Sequence, residues 1–455
     1  MRELFSINPF TLEKFASFPL QDEASILKSI EYAFQAFQDY KNSDLNKRSY
    51  CMMNLANLLE ENQDLYALFI TQEMGKPINE SRGEILKCAW LCRYYAEHSR
   101  TFIKDEIIET EAYKSYVTYR PLGVLLAVMP WNFPFWQVFR WAVPALMAGN
   151  TCILKHASNV PSCSKLIEQI FQKAGFPRHA FTNIHMDSKD VGLILKDPRV
   201  KSVSLTGSGP AGSSVASIAG QELKSSLLEL GGNDAYIILE DADLRLAAKA
   251  CRESRLLNAG QSCIGAKRII VVNDIYDTFL EYFTKEMEQV KMGDPIGEGN
   301  LGPLARKSFQ TDVHLQVTTS IKEGAHLHLG GYIPELKGAF YPPTILTNVQ
   351  SGQLAYHEEI FGPVASIIKV RDEAEAIDVA NDSIFGLGAC VFTKDLAKGE
   401  RIAKESLEAG SCFVNQFVKS DPRLPFGGIK QSGFGRELGR EGIRSLCNIK
   451  TVYIK

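Results

Sequence analysis

The spacing of hydrophobic and polar positions changes once along the chain, near residue 115. Residues 22–105 carry apolar side chains at helical spacing with few breakers, as in the run 52–59 (MMNLANLL), and this predicts a series of helices. Beyond residue 115, short apolar runs alternate with helical segments such as 164–174, which indicates a mostly parallel sheet with right-handed connections. The runs predicted to be strands lie at 124–128, 151–154, 203–205, 236–239, 268–272 and 390–392.

The length of the chain bears on the number of domains. At 455 residues the chain exceeds what a single hydrophobic core usually supports, so we predict two or three domains of the α/β class. The sequence contains no internal repeat, low-complexity tract or long linker. We therefore expect domains that interleave along the chain rather than follow one another.

Composition and charge narrow the classes of partner. The chain is 45% hydrophobic and 23% charged with a formal net charge of −3, whereas a dedicated nucleic-acid binder normally has a basic excess. Residues 1–6 (MRELFS) lack the basic-then-apolar order of a secretory signal. The most apolar stretch, 122–129, is too short to cross a bilayer. We expect a cytoplasmic protein with no nucleic-acid or membrane partner.

The ten cysteines lack the dense spacing of a secreted disulfide framework. Cys88 and Cys92 suit one face of a helix, and no second cysteine pair or cluster of histidines completes a zinc site. We predict no metal site and a reducing environment.

One of these cysteines, Cys263, is a candidate nucleophile. It lies in 256–265 (LLNAGQSCIG), where glycines and small polar residues allow a sharp turn. The thiol can attack a substrate if its thiolate form is favoured, and the Cys263 N–H can bind an oxyanion. The alternative is a small buried hydrophobic residue, which is the commoner role of a free cysteine.

A glycine-rich segment, 207–212 (GSGPAG), fits the G-x-G-x-x-G pattern of a dinucleotide-binding turn, although Pro210 weakens the match. In an ordinary Rossmann unit Glu229 would then bind a ribose. Glu229 lies between leucines, however, and burial there would raise its pKa toward that of a general base. A third interpretation is a glutamate that merely ends a strand or helix before Gly231.

Five segments taken together resemble the aldehyde dehydrogenase superfamily over nearly the whole chain. They are 129–136 (MPWNFPFW), 228–232 (LELGG), 260–263 (GQSC), 357–363 (HEEIFGP) and 425–433 (PFGGIKQSG). Within the superfamily, 131–140, 154–158 (LKHAS) and 419–428 (KSDPRLPFGG) look like the short, non-acylating succinate-semialdehyde dehydrogenases.

The resemblance implies a three-part fold. A Rossmann-like nucleotide-binding domain would comprise 1–100 and 120–231, and an α/β catalytic domain would comprise 232–439. A small β oligomerisation arm would combine 101–119 with 440–455. The C-terminal tail alternates enough to be a strand, and an exposed edge strand favours pairing with another chain. A homodimer or a dimer of dimers is therefore expected.

The resemblance also implies a role for individual residues. Cys263 would attack an aldehyde and form a thioester, Asn132 would bind the oxyanion with the Cys263 N–H, and Glu229 would activate water. The residues implied to bind an NADP or NAD cofactor are Trp131, Lys155, Ser158, Gly207, Ser208, Glu359 and Phe361. The residues implied to bind the substrate are Arg140, Ser420 and Phe426.

Two positions bear on specificity. Many members of the superfamily have a glutamate where this chain has Ser158, and that glutamate repels the 2′-phosphate of NADP. We therefore expect NADP to be used at least as well as NAD. Arg140 can pair with the far carboxylate of a semialdehyde, although an interior ion pair is the alternative.

The favoured function is oxidation of succinate semialdehyde to succinate. A broader specificity for small or neutral aldehydes is an alternative, and a cofactor-independent cysteine esterase is another. An inactive scaffold that keeps the fold has no physical need of Asn132, Glu229 and Cys263 together.

Overall fold

The computed structural model describes residues 2–297 and 299–455. An antiparallel hairpin, β1 (Glu3–Ile7) and β2 (Lys14–Pro19), opens the chain, and four helices follow. The helices predicted between 22 and 105 are confirmed, whereas the hairpin was not predicted. The helices are α1 (Glu23–Tyr40), α2 (Leu45–Glu61), α3 (Gln63–Met74) and α4 (Ile78–Phe102).

Local signals explain where these helices begin and end. Asp22 caps α1 by accepting a hydrogen bond from the Ser25 N–H, which satisfies one of the unpaired donors of the first turn. Gly75 ends α3 with a φ of 78°, a left-handed conformation that glycine adopts without steric cost. Cys88 and Cys92 share the buried face of α4, as predicted.

A six-stranded sheet occupies the middle of the chain, in the order β19-β9-β8-β5-β6-β7. All its neighbouring strands are parallel except β19 and β9. The strands predicted at 124–128, 151–154 and 203–205 are confirmed within it. Its elements are β5 (Val124–Met129), α5 (Trp136–Ala148), β6 (Thr151–His156), α6 (Pro161–Lys173), β7 (Phe181–Asn183), α7 (Val191–Lys196), β8 (Val200–Thr206), α8 (Gly209–Gln221), β9 (Ser225–Glu229) and the distant β19 (Gly433–Phe434).

A seven-stranded sheet follows in the order β12-β13-β14-β11-β10-β16-β17, parallel except for β12 and β13. It contains the strands predicted at 236–239, 268–272 and 390–392. Its strands are β10 (Ala235–Ile238), β11 (Arg268–Val272), β12 (His326–Leu329), β13 (Thr344–Thr347), β14 (Val364–Val370), β16 (Gly388–Phe392) and β17 (Ser411–Val414). Its helices are α9 (Leu244–Leu256), α10 (Tyr276–Glu288), α11 (Lys307–Lys322), α12 (Leu354–His357), α13 (Glu373–Asn381) and α14 (Leu396–Arg401). A short antiparallel pair, β15 (Phe385–Gly386) and β18 (Ile429–Lys430), lies beside it.

A three-stranded antiparallel sheet combines residues from two distant parts of the chain. It contains β3 (Glu106–Ile107), β4 (Lys114–Pro121) and β20 (Cys447–Ile454), and α15 (Gly439–Ser445) precedes its last strand. The prediction of a C-terminal strand is confirmed, and β20 pairs with β4 along its full length. No strand of the described residues pairs with its other edge. Within the described residues, no helix combines the length and the apolar character needed to cross a membrane. The sequence-based prediction of the α/β class is confirmed.

Candidate active site

Two loops leave the six-stranded sheet where its strand order reverses. β5 and β8 are neighbours, and the chain continues from β5 to β6 on one side and from β8 to β9 on the other. The loop after Met129 carries Trp131 and Asn132, and the loop after Thr206 carries Ser208. Ligands of open parallel sheets bind outside the carboxyl ends of the strands at such a reversal.

The loop that carries Cys263 has an unusual backbone between α9 and β11. Asn258, Ala259 and Gly260 have φ values of 56°, 52° and 76°, and each non-glycine residue in this region costs about 1–3 kcal/mol. A Cβ at Gly260 would lie 2.1 Å from the carbonyl oxygen of Gly362. The turn predicted around Cys263 therefore requires a glycine at position 260.

Three neighbouring segments hold this loop in place. The Asn258 N–H donates to Glu80 Oε2 at 2.8 Å, and Asn258 Nδ2 donates to the Asn132 carbonyl oxygen at 2.7 Å. Gln261 Oε1 accepts a hydrogen bond from the Ala305 N–H at 2.9 Å. These bonds offset the backbone cost and fix the position of the thiol.

Cys263 lies where two cavities of about 270 Å³ each meet. The α4 cavity is lined by one face of α4, which presents Glu80, Gly83, Glu84 and Lys87. The switch cavity lies at the loops after β5 and β8. Because Cys263 lines both cavities, its thiol can react with a molecule in one while facing a molecule in the other.

The thiol itself is largely protonated at neutral pH. Burial raises the pKa of Cys263 to about 12, although the charges of Lys267 and Arg140 act to lower it. Lys267 Nζ donates to the Cys263 carbonyl oxygen at 2.6 Å. Since the thiolate is the reactive form, nucleophilic attack requires removal of a proton from Cys263.

Asn132 is 4% exposed and lies beside this loop. Its Nδ2 donates one hydrogen bond to the Gln261 carbonyl oxygen at 3.1 Å, and a side-chain amide carries two hydrogens. The second hydrogen can be donated to a developing oxyanion. The structure brings Asn132 and Cys263 to the switch cavity together, and the catalytic role of each stays a prediction.

Glu229 is the last residue of β9 and is 2% exposed. Burial raises its pKa well above the usual range, and Arg140 acts in the opposite direction. Glu229 Oε1 has no hydrogen-bond partner among the described residues. It lies 2.7 Å from where a Cβ on Gly427 would be, and neither cavity is lined by Glu229. The role of Glu229 in activating water stays a prediction.

Aromatic rings and a fixed carboxylate line the switch cavity. The Trp131 ring stacks on Phe309 with 4.7 Å between centroids and meets Phe361 edge-on at 5.8 Å. Glu359 Oε1 lies 3.0 Å from Lys267 Nζ and accepts a hydrogen bond from the Gly232 N–H at 3.2 Å. A carboxylate oriented in this way can accept hydrogen bonds from sugar hydroxyls.

The first turn of α8 faces the same cavity. Gly207 and Ser208 line the cavity. Ser208 is the N-cap of this 13-residue helix, and its side chain makes no capping bond to any described residue. A Cβ at Gly209 would have no atom within 4 Å. The unpaired N–H groups and the open approach suit a phosphate group. These features fit a dinucleotide in the switch cavity.

Positive charge gathers around the carboxyl end of β6. Lys155 is 4% exposed, its Nζ donates to Ser188 Oγ at 2.8 Å, and burial lowers its pKa to about 8. The exposed Ser158 accepts a hydrogen bond from Arg306 Nη2 at 3.2 Å. Sequence reasoning missed Arg306, because it lies 148 residues from Ser158 along the chain and the two meet only in the folded structure.

Arg140 lines the α4 cavity but is already paired. Its guanidinium forms an ion pair with Glu437, and both side chains are 2% exposed. The guanidinium also lies over the Phe426 ring, 4.7 Å from the centroid. The structure therefore contains the interior ion pair that was the alternative interpretation of Arg140. Arg140 and Phe426 both line the cavity, so each can still reach a bound substrate. Their contact with a substrate stays a prediction.

Lys87 is a second cation in the α4 cavity, and sequence reasoning missed it. Its Nζ donates to Ser420 Oγ at 2.8 Å and lies 4.1 Å from the Trp136 ring centroid. The only sequence signal was the polar spacing 80, 84 and 87 on α4, which ordinarily marks a solvated helix face. Ser420, predicted to contact substrate, lines the same cavity.

Comparison with known proteins agrees with this geometry. The model of the family described as "Aldehyde dehydrogenase family" matches residues 2–452. A probable succinate-semialdehyde dehydrogenase (NADP(+)) from Synechocystis sp. is 45% identical over 450 residues, covering 99% of each chain. A succinate semialdehyde dehydrogenase (NAD(P)+) from Escherichia coli is 43% identical, covering 98% of this chain and 97% of its own. The crystal structure of the Streptococcus pyogenes succinic semialdehyde dehydrogenase with NADP+ superposes with a TM-score of 0.97 at 39% identity, covering 99% of both chains.

Proposed function

Because the chain belongs to the aldehyde dehydrogenase family, we propose that it oxidises succinate semialdehyde to succinate with NADP+ or NAD+. The observation that carries this proposal is the position of Cys263 between two cavities. The switch cavity suits a dinucleotide, and the α4 cavity contains cations that suit an acidic aldehyde. The names of the relatives support the same substrate and cofactor.

The chemistry divides between the proposed catalytic residues. Cys263 as thiolate attacks the aldehyde carbon, and the carbonyl oxygen becomes an oxyanion held by the Asn132 amide and the Cys263 N–H. A nicotinamide bound in the switch cavity supplies the acceptor for the hydride that this adduct loses. Glu229 then removes a proton from water, which attacks the Cys263 thioester and releases the acid. The overall reaction converts an aldehyde, NAD(P)+ and water to a carboxylate, NAD(P)H and two protons.

Residues from distant parts of the chain support the use of NADP+. Ser158 accepts from Arg306, so a serine hydroxyl and a guanidinium lie together where a 2′-phosphate can bind both. Lys155 adds an ammonium group from β6. Trp131, Glu359 and Phe361 bind the cofactor in this proposal. The aromatic rings of Trp131 and Phe361 and the oriented carboxylate of Glu359 in the switch cavity support that role. We expect NADP+ to be used at least as well as NAD+.

Initial rates test this proposal. With NADP+, kcat/KM for succinate semialdehyde should exceed that for butanal, which has the same carbon chain without the carboxylate. Cys263→Ser should abolish NADPH formation, and it serves as the control for contaminating activity. Equal kcat/KM for the two aldehydes would contradict the proposal that succinate semialdehyde is the substrate. A hundredfold preference for NAD+ would contradict the expectation that NADP+ is used at least as well.

Broader oxidation of neutral aldehydes is the second candidate. The aromatic lining of the α4 cavity by Phe133, Trp136, Phe417 and Phe426 favours it, since such walls bind alkyl chains without a carboxylate. Rates with hexanal as high as those with succinate semialdehyde would support this candidate. Ester hydrolysis that continues after removal of all nucleotide would identify the cysteine esterase instead.

We also propose the domain and subunit arrangement that was predicted from the sequence. The nucleotide-binding domain comprises 1–100 and 120–231, the catalytic domain 232–439, and the oligomerisation arm 101–119 and 440–455. The outer edge of β20 has no partner strand among the described residues, and Ile449 in this strand is 63% exposed. Pairing of this edge with a second copy would form a dimer. The ten unpaired thiols support a reducing cytoplasmic location.

A further inference from the structure

Lys87 has a positive charge that its neighbours do not neutralise. The two carboxylates that act on it, those of Asp421 and Glu84, are paired with Arg423 and Lys76 at 2.7 and 2.6 Å. Burial, followed by the charge of Arg140, lowers the pKa of Lys87 to about 8. An ammonium group in such a position is stabilised when an anion enters the cavity.

The other two cations of the α4 cavity differ from Lys87 in this respect. Arg140 is bound to Glu437, and both side chains are almost fully buried. Lys419 lines the cavity but is exposed, so water screens its charge. Lys87 is therefore better placed than Arg140 or Lys419 to attract an anion into the cavity.

Ser420 completes the arrangement. Lys87 Nζ donates to Ser420 Oγ, so the oxygen acts as an acceptor and the serine hydroxyl hydrogen can point to another group. Ser420 is 8% exposed, which keeps this donor out of bulk water. The two remaining hydrogens of the Lys87 ammonium and the Ser420 hydroxyl together match the acceptor oxygens of a carboxylate.

We propose that Lys87 determines specificity by binding the substrate carboxylate directly together with Ser420. This inference rests on the proposed function. It assigns the principal charge for recognising an acidic aldehyde to α4, whereas sequence reasoning assigned it to Arg140 on α5.

The test compares Lys87→Met with the unchanged enzyme, since methionine keeps the apolar stem against Trp136. Loss of a charge-assisted contact should raise KM for succinate semialdehyde about 10- to 100-fold, with butanal affected less than about threefold. Succinate should weaken as a competitive inhibitor by the same factor, which a merely structural loss would not produce. Lys419→Met is the matched control, because it removes a cation from the same cavity and should change KM less than about threefold.

The outcomes separate the inference from the proposed function. If the unchanged enzyme does not prefer succinate semialdehyde to butanal, the proposed function is wrong. If it does, and Lys87→Met keeps that preference, Lys87 does not bind the carboxylate. A loss of equal size in Lys419→Met would point to general electrostatic attraction and would also overturn the inference.

Two further measurements cover a failure of Lys87→Met to fold. Lys87→Gln should show the same selective increase in KM. In the unchanged enzyme, succinate should protect Lys87 from acetylation by an N-hydroxysuccinimide ester, as measured by peptide mass spectrometry. Equal acetylation with and without saturating succinate would overturn the inference.

Discussion

Replacement of Glu437 by glutamine tests the energetic role of the buried ion pair. Glu437 and Arg140 are each 2% exposed at the side chain, so water cannot solvate the charge that remains when one partner is removed. Breaking such a pair costs about 3–5 kcal/mol. With about 2–4 °C per kcal/mol for domains of this size, the midpoint of thermal unfolding should fall by roughly 6–20 °C.

The matched control is Glu281→Gln. Glu281 pairs with Lys285 on α10, where the side chains are 62% and 60% exposed, and exposed helix pairs contribute about 0.3–0.5 kcal/mol. This variant should unfold within about 2 °C of the unchanged protein. The two substitutions make the same chemical change, and they differ in burial.

Thermal unfolding followed by circular dichroism, without nucleotide, measures both effects, because a bound ligand would shift the midpoint by mass action. The double variant Arg140→Met with Glu437→Gln should recover part of the loss, since neither charge then remains unpaired. If Glu437→Gln were as stable as Glu281→Gln, the argument that burial makes this pair critical would be refuted.

Three further predictions concern rate, cofactor and assembly. Burial raises the pKa of Cys263 to about 12, so the thiolate fraction grows with pH. The value of kcat/KM for butanal should therefore rise about tenfold per pH unit between pH 7 and 9. A flat profile would mean that bound cofactor already ionises the thiol. Ser158→Glu should lower kcat/KM with NADP+ about 10- to 100-fold through repulsion of the 2′-phosphate while leaving NAD+ nearly unchanged, and equal loss with both cofactors would contradict this placement. Ile449→Asp puts a charge on the outer edge of β20 and should yield monomers by sedimentation velocity. A dimer that persists in this variant would show that the subunits pair through another surface.

Most individual helices and strands could be predicted from the local spacing of hydrophobic and polar residues. The strand at 268–272 and the helices within 22–105 follow from residue spacing, because side chains repeat every two positions in a strand and every 3.6 in a helix. The hairpin β1–β2 was missed because a two-stranded ribbon has no long apolar run. The strand order, with its reversal between β5 and β8, depends on contacts between distant segments, so spacing along the chain does not encode it.

The sequence by itself determined which reactive groups the chain contains: Cys263 between glycines, Asn132 and Glu229 in their segments. The resemblance joined these groups into one predicted site. Such signals survive in sequence because a reaction needs particular atoms next to particular backbone turns. Only the tertiary structure decided which charges are available. The sequence left open whether Arg140 contacts the substrate or an interior acid, and the structure shows that it pairs with Glu437, which is distant in sequence. Lys87 was not singled out in the sequence, and the structure places it in a cavity lined by α4. The strength of a charge depends on burial and on its neighbours in space, which the order of residues does not specify.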